Sequence, residues 1–203
     1  MQNTAIFPLF YLPNVSYFTN LKAHDYIFIL EKQEYFPKQT YRNRALILSP
    51  NGPLTLTIPV IKGSKVHTLY KDVKISYNQK WQRLHKLSLQ NCYRSSAYFE
   101  YYEDELIPFY EKKQTYLFDY NLRWFEFILK QLKLKLDLKF TDEYNPQTAL
   151  DFRTSLSKLS LEVPSNSTFT NYFQVFNDRM PFQKNLCILD LLFNQGPQAK
   201  NYF

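Results

Sequence analysis

Residues 31 to 44, EKQEYFPKQTYRNR, crowd Glu31, Lys32, Glu34, Lys38, Arg42 and Arg44 among Tyr35, Phe36 and Tyr41. Such a mixture suits an anionic ligand that carries a ring. The guanidinium forks of Arg42 and Arg44 can grip a phosphate with paired hydrogen bonds, and Lys38 supplies a point charge. Tyr11, Tyr35 and Trp81 can stack a sugar or a base. His85 is the candidate general base, because an imidazole titrates near neutrality. A helix starting near residue 79 places His85 within about 60° of Trp81, Ser88 and Cys92, away from Lys80, Arg83 and Lys86. The sequence therefore predicts that His85 lines a cleft near the Lys38 to Arg44 segment, with the imidazole reachable from solvent, and whether His85, Arg42, Asn43 and Arg44 converge there decides whether they form a site. Two plainer readings stand beside this one. Charge-rich connections are mostly solvated and histidines on apolar faces are mostly core, and one of the arginines can instead pair with Glu31 or Glu34.

Other chemistries are excluded by what the chain lacks. Its three glycines, Gly52, Gly63 and Gly196, are isolated, so no loop can cradle a phosphate in the Walker or Rossmann manner. Cys92 and Cys187 have no second Cys or His nearby, which argues against a zinc site or a disulfide framework and for a reduced, cytosolic setting. No nucleophile elbow or cysteine-nucleophile motif occurs, so direct transfer is favoured over a covalent enzyme intermediate. No cofactor and no metal are expected. With 25 Lys and Arg against 18 Asp and Glu, the net charge of +7 favours anionic partners: phosphates, nucleotide sugars, nucleic acid or a membrane surface. No run approaches the roughly 20 apolar residues of a transmembrane helix and no signal peptide is evident, so membrane contact would be peripheral.

The elements that must position these residues follow from periodicity. Residues 4–12 read as an edge strand broken at Pro8, Ser16 caps a short helix, and 26–30 and 45–48 are short apolar strands flanking the charged stretch. The turn Pro50-Asn51-Gly52-Pro53 leads into LTLTIPV, whose Leu54, Leu56, Ile58 and Val60 are expected on one face. Residues 62–71 read as a basic loop and 72–76 as a further strand. Helices follow: one capped by Asn78, one after Ser95-Ser96 that Pro108 should kink or split, one from Asp119, and a last one, KNLCILDLLFN, ending at Gly196-Pro197. Late strands are expected at 134–140 and 172–176, with an irregular, weakly anchored and mobile connection over 142–169. Strands clustered early and helices late predict a single α+β unit over 1–203, its N-terminal sheet mainly antiparallel or mixed with helices packed on it.

Several of these stretches together resemble the WbqC-like proteins of bacterial surface-polysaccharide gene clusters. The matching pieces are YLPNVSYF, AHDYIFILE, KQTYRNR, NGPLTLTIPV, WQRLH with NCYRSSAYFEYYED, YFQVF and NLCILDLLFNQGP, spread over nearly the whole chain. Two positions depart from the family pattern: Gln33 stands where a His is common and Ala97 where a Pro is common. The resemblance implies a role in O-antigen assembly, with transfer of glycine onto a polysaccharide as the activity suggested for the family. The expected enzyme is thus a transferase moving an acyl group from an activated, phosphate-bearing small-molecule or carrier donor to a sugar hydroxyl or amine. The alternative, from the basic excess interleaved with aromatics, is a non-catalytic module that binds nucleic acid or an anionic carrier. Both hold if the donor is a charged transfer RNA. A third alternative is an assembly partner within a biosynthetic complex.

Overall fold

A strand, a helix and a second strand set the frame. The structure, a computed structural model, describes residues 3–22, 26–61, 67–146, 150–161 and 170–203. Strand β1 (Asn3–Pro8) is followed by helix α1 (Val15–Lys22) and strand β2 (Tyr26–Glu31), and the two strands pair in parallel, Asn3 opposite Tyr26 and Pro8 opposite Glu31. A helical crossover is what parallel neighbours require, because a tight turn can only join antiparallel ones. Two short strands complete the sheet: β5 (Lys139–Phe140) lies parallel to β2, and β6 (Leu150–Asp151) lies parallel to β1. The order is β5–β2–β1–β6 and every pairing is parallel. This corrects the antiparallel or mixed N-terminal sheet expected from the sequence, and the architecture is α/β. Ala5, Ile6 and Phe7 are buried in succession, so both faces of β1 are covered, as a parallel sheet demands. On one face Phe7 packs within 4.4 Å of the Phe152 ring centroid and 4.9 Å of that of Phe28.

Strands β3 (Arg44–Ser49) and β4 (Gly52–Thr57) form a separate antiparallel hairpin, which is where the sequence places one. Gly52 closes its turn at φ +105°, a conformation that side chains disfavour. Leu56 and Ile58 face the core, but Leu54 sits exposed near the tip, because the hairpin outruns the layer beneath it.

Four helices follow, each with an apolar side on the core: α2 (Trp81–Tyr93), α3 (Phe99–Glu111), α4 (Leu117–Leu132) and α5 (Ile188–Gln195). Asn78 does not cap α2; Lys80 holds the cap position without a side-chain bond. Pro108 stays inside an unbroken α3, near its end, where the loss of one N–H is least disruptive. The strand expected over 72–76 is reduced to isolated bridges, Lys74 with Tyr116 and Ile75 with Val60, after a single 3-10 turn at Tyr70–Asp72. Of 134–140 only Lys139 and Phe140 pair, and 172–176 forms no strand: Tyr172 and Gln174 spend their polar groups on the buried Asp190. Part of the basic loop (62–66) and part of the irregular connection (147–149, 162–169) lie outside the described residues. The rest of that connection carries β6 and the buried Arg153, so it is anchored more firmly than its composition predicts.

Helix α5 ends at Gly196, with φ +54°, against the ring of Tyr98. A Cβ there would sit 2.5 Å from Tyr98 Cδ1. Gly196→Ala should therefore cost roughly 1 to 3 kcal/mol from backbone strain and more from the collision. Urea unfolding reads this directly, and a loss under about 0.5 kcal/mol would mean that the ring yields freely. No helix among the described residues is long and apolar enough to cross a membrane.

Candidate functional site

The loops that leave β2, β5 and β6 emerge from the same end of the sheet, since parallel strands all present their carboxyl ends together. They enclose a cleft of about 990 Å³, walled by Gln33 to Arg42 after β2, Asp142 to Tyr144 after β5 and Arg153 to Leu159 after β6. The carboxyl edge of a parallel sheet is where such folds hold their ligands, because connections there are free to vary while the strands stay rigid.

The cleft is built on a buried chain of alternating charges. Arg153, 3 % exposed, donates from Nη1 to Glu31 Oε2 at 2.8 Å, from Nη2 to Asp151 Oδ2 at 2.6 Å and to the Asn145 carbonyl at 2.7 Å. One side chain thus ties the ends of β2 and β6 to the loop after β5. Glu31, wholly buried, also accepts from the Thr141 hydroxyl and the Gln33 amide, each at 2.7 Å. Arg42 grips Glu34 with two parallel bonds, Nε to Oε1 at 2.5 Å and Nη2 to Oε2 at 2.7 Å. It also donates to Ser157 Oγ at 2.7 Å, to the Arg153 carbonyl at 3.1 Å and to Thr40 Oγ1 at 3.5 Å, which occupies all five of its N–H groups.

The carboxylates respond differently. Burial pushes the Glu34 carboxyl above its ordinary value, and the charge and hydrogen bonds of Arg42 only partly offset this. Burial would also raise Asp151, but there the bonds and charge of Arg153 outweigh it and hold the carboxyl below its usual range. At the mouth stand two exposed aromatics. Tyr35 lies against His67 with ring centroids 4.9 Å apart, and Tyr144 lies 4.5 Å beneath the Arg153 guanidinium. Lys158 is the cation on the cleft wall that makes no ion pair among the described residues.

Of the residues singled out from the sequence, Arg42 and Tyr35 line this cleft. Lys38 is exposed on the same loop, between lining neighbours Pro37 and Gln39. Asn43 and Arg44 belong to the base of the hairpin: Asn43 donates to the Ile58 carbonyl at 3.0 Å, and Arg44 opposes Thr57 in the β-ladder. The structural alternative, in which one arginine pairs with Glu31 or Glu34, is present as the Arg42–Glu34 pair.

Tyr11, Trp81 and His85 lie elsewhere, in the core between α2, α3 and α4. His85 is 5 % exposed, so the expected solvent-reachable imidazole is not found. Its Nδ1 lies 3.0 Å from the Tyr11 hydroxyl, which in turn contacts the Tyr110 hydroxyl at 3.1 Å, and the ring also bonds to the Thr57 backbone. Trp81 packs edge-on against the ring at 5.1 Å and donates to the Ser76 carbonyl. With the ring so engaged and no anion beside it, burial drives the imidazole pKa down to about 4.

Neither cysteine offers a nucleophile, since burial pushes Cys92 up to about 11 and Cys187 up to about 12. Among the described residues no group of three His, Cys, Asp or Glu side chains could hold a metal ion. The cleft residues that sequence reasoning passed over are Arg153, Tyr144 and Lys158. All three fall in a polar segment without periodicity, and an Asp-x-Arg beside a short apolar Ala-Leu was the one available signal.

Fold and site define an α/β protein with an aromatic-rimmed cleft, built on buried ion pairs, at the carboxyl edge of an all-parallel sheet. The chain belongs to the WbqC-like protein family, whose model matches residues 10–161. It is 25 % identical over 231 aligned positions to the uncharacterized protein Rv1507c of Mycobacterium tuberculosis, covering 100 % of this chain and 97 % of that one. No solved structure matches. The family match spans the cleft from Glu34 to Leu159 and the core histidine alike.

Proposed function

We propose that the protein is a transferase of surface-polysaccharide assembly that moves an acyl group, in the family's suggested case glycyl, onto a sugar bound in the cleft. The observation that carries this reading is Glu34: a desolvated carboxyl of raised pKa in the wall of the cleft of about 990 Å³, held in one orientation by the fork of Arg42. A carboxyl raised above its ordinary value and held in a cleft wall is a candidate general base. Glu34 takes the proton from the acceptor hydroxyl or amine as that group attacks the donor carbonyl, and the donor's leaving group departs. Tyr35 and Tyr144 offer faces for a sugar ring. Because Arg42 has no donor left, phosphate contacts fall to Lys158 and Lys38. Membership in the WbqC-like family supports the polysaccharide setting.

The test is a turnover assay with activated glycyl donors, charged transfer RNA included, and candidate sugar acceptors, read by mass spectrometry for a product enlarged by one glycyl group. Glu34→Gln should lower turnover roughly a hundredfold or more with acceptor binding nearly unchanged. Glu34→Asp, which keeps the charge facing Arg42 but withdraws it by one methylene, separates chemistry from folding. Full activity in both variants would end the general-base role. Absence of transfer with every donor, together with tight RNA binding, would favour the binding-module alternative.

A further inference from the structure

Two buried ion pairs support the cleft, Arg42 with Glu34 and Arg153 with Glu31, and one hydroxyl links them. Ser157 Oγ accepts from Arg42 Nη1 at 2.7 Å and donates to the Arg153 carbonyl, which also accepts from Arg42 Nη2 at 3.1 Å. Ser157 is buried and lines the cleft. A serine that bonds the carbonyl four residues back is ordinary local structure. The same oxygen receiving a guanidinium from 115 positions away is not local, and the turn after β6 does not require it.

The bond matters because of what Arg42 does for Glu34. A forked arginine and its carboxylate are rigid toward each other but can swing as a unit, so the far side of the guanidinium decides where the pair sits in the cleft wall. The partners there are Ser157 Oγ at 2.7 Å, the Arg153 carbonyl at 3.1 Å and Thr40 Oγ1 at 3.5 Å. Ser157 is the closest of the three, and Thr40 stands at the limit of a hydrogen bond. The side chain of Arg153 is itself clamped by Glu31 and Asp151, so Ser157 ties Arg42 to a fixed point of the loop after β6. Backbone bonds hold Ser157 in place independently of its hydroxyl: the Tyr41 amide donates to its carbonyl at 3.4 Å, and its own amide donates to the Thr154 carbonyl at 3.1 Å.

We propose that Ser157 is a positioning residue of the cleft, whose hydroxyl holds the Arg42 guanidinium, and through it the Glu34 carboxylate, in the orientation from which Glu34 takes a proton. This role rests on the general-base chemistry proposed for Glu34 and adds a requirement to it: the base is aligned only while the loop after β6 is seated against Arg42. The effect is on rate, because a displacement of about 1 Å near a reacting group can cost a hundredfold.

Ser157→Ala removes the hydroxyl and leaves the backbone bonds. In the glycyl-transfer assay it should lower kcat by roughly tenfold to a hundredfold with the acceptor KM nearly unchanged, and Ser157→Thr, which keeps a hydroxyl, should recover most of the lost rate. Should Ser157→Ala not fold, Ser157→Cys fills the same space with only a weak acceptor and carries the same expectations. A second readout needs no turnover. With isotope-labelled glutamate carboxyl carbons, NMR follows Glu34 against pH, its signal assigned by its loss in Glu34→Gln. Burial raises this carboxyl, the charge and bonds of Arg42 lower it, the charge of Glu31 raises it and that of Arg153 lowers it. Loosening the fork removes part of the lowering, so Glu34 should titrate at higher pH in Ser157→Ala than in the parent chain, and as in the parent in Ser157→Thr. A merely structural serine would lower the melting midpoint and leave the Glu34 titration in place. An unchanged titration in Ser157→Ala, or an unchanged kcat where Glu34→Gln abolishes turnover, would overturn the proposal and leave Glu34 as the base. Full turnover in Glu34→Gln would instead end the general-base role, and the positioning role with it. With no turnover from any donor, the titration alone decides whether Ser157 holds the pair.

Discussion

Arg153→Met should destabilise the protein by about 3 to 5 kcal/mol, the cost of leaving a buried charge without its partner. The orphan is Glu31, which has no exposure to solvent and keeps only the Thr141 hydroxyl and the Gln33 amide once the guanidinium is gone. Asp151 loses its contacts to the Arg153 side chain at the same time. Urea unfolding at neutral pH measures the loss. Adding Glu31→Gln to Arg153→Met should recover a substantial part of it, because the remaining group is then neutral and still able to bond to Thr141. A single-variant loss below about 1 kcal/mol, or no recovery in the double variant, would show that the pair is hydrated and inexpensive. Buried ion pairs are seldom a net source of stability compared with apolar packing. What this one supplies is position, since Arg153 joins the loops after β5 and β6 to the end of β2, and those are the loops that form the cleft.

Acid should unfold the protein through His85. An imidazole with an ordinary value near 6.5, lowered to about 4 in the folded chain, binds its proton more weakly when folded. Its contribution to stability is present above pH 6.5 and is lost as pH falls from there through about 4, amounting to roughly 3 kcal/mol. Two buried groups oppose it: burial raises Asp190 from 3.8 to about 6 and also raises Glu34, a stabilisation that grows as pH falls through the raised values. His85→Gln removes the first effect and leaves the second. Melting midpoints measured from pH 7 to pH 4 should fall less steeply in His85→Gln than in the parent chain, and Asp190→Asn should fall more steeply. Parallel profiles for the parent and His85→Gln would mean that the imidazole reaches water in the folded state. Glu34-dependent turnover should survive His85→Gln wherever the variant remains folded, since the ring is a core group that bonds to Tyr11 and Thr57.

Much of the layout was legible in the residues themselves. Helical spacing of apolar side chains marks α2, α4 and α5, and Pro50 to Pro53 marks the β3–β4 turn, because these signals are local and need no partner. The burial of His85 beside Trp81 follows from the same periodicity, although periodicity does not say whether such a face meets a cleft or a core. Interleaving of Arg42 with Glu34 in one polar stretch likewise leaves a solvated loop and a buried pair indistinguishable.

Tertiary structure decided the rest. Strands β5 and β6 are two residues each, too short to leave a period, and exist only because β2 and β1 offer edges to pair with. The parallel sheet follows from the α1 crossover, whose direction of return is not written in either strand. Arg153 becomes a cleft residue through contacts 122 positions away at Glu31, and its burial is tolerable only once that carboxylate is in place. Charged side chains read as surface until the fold supplies their partners, because in water they are solvated and only in the low-dielectric interior must they find one another.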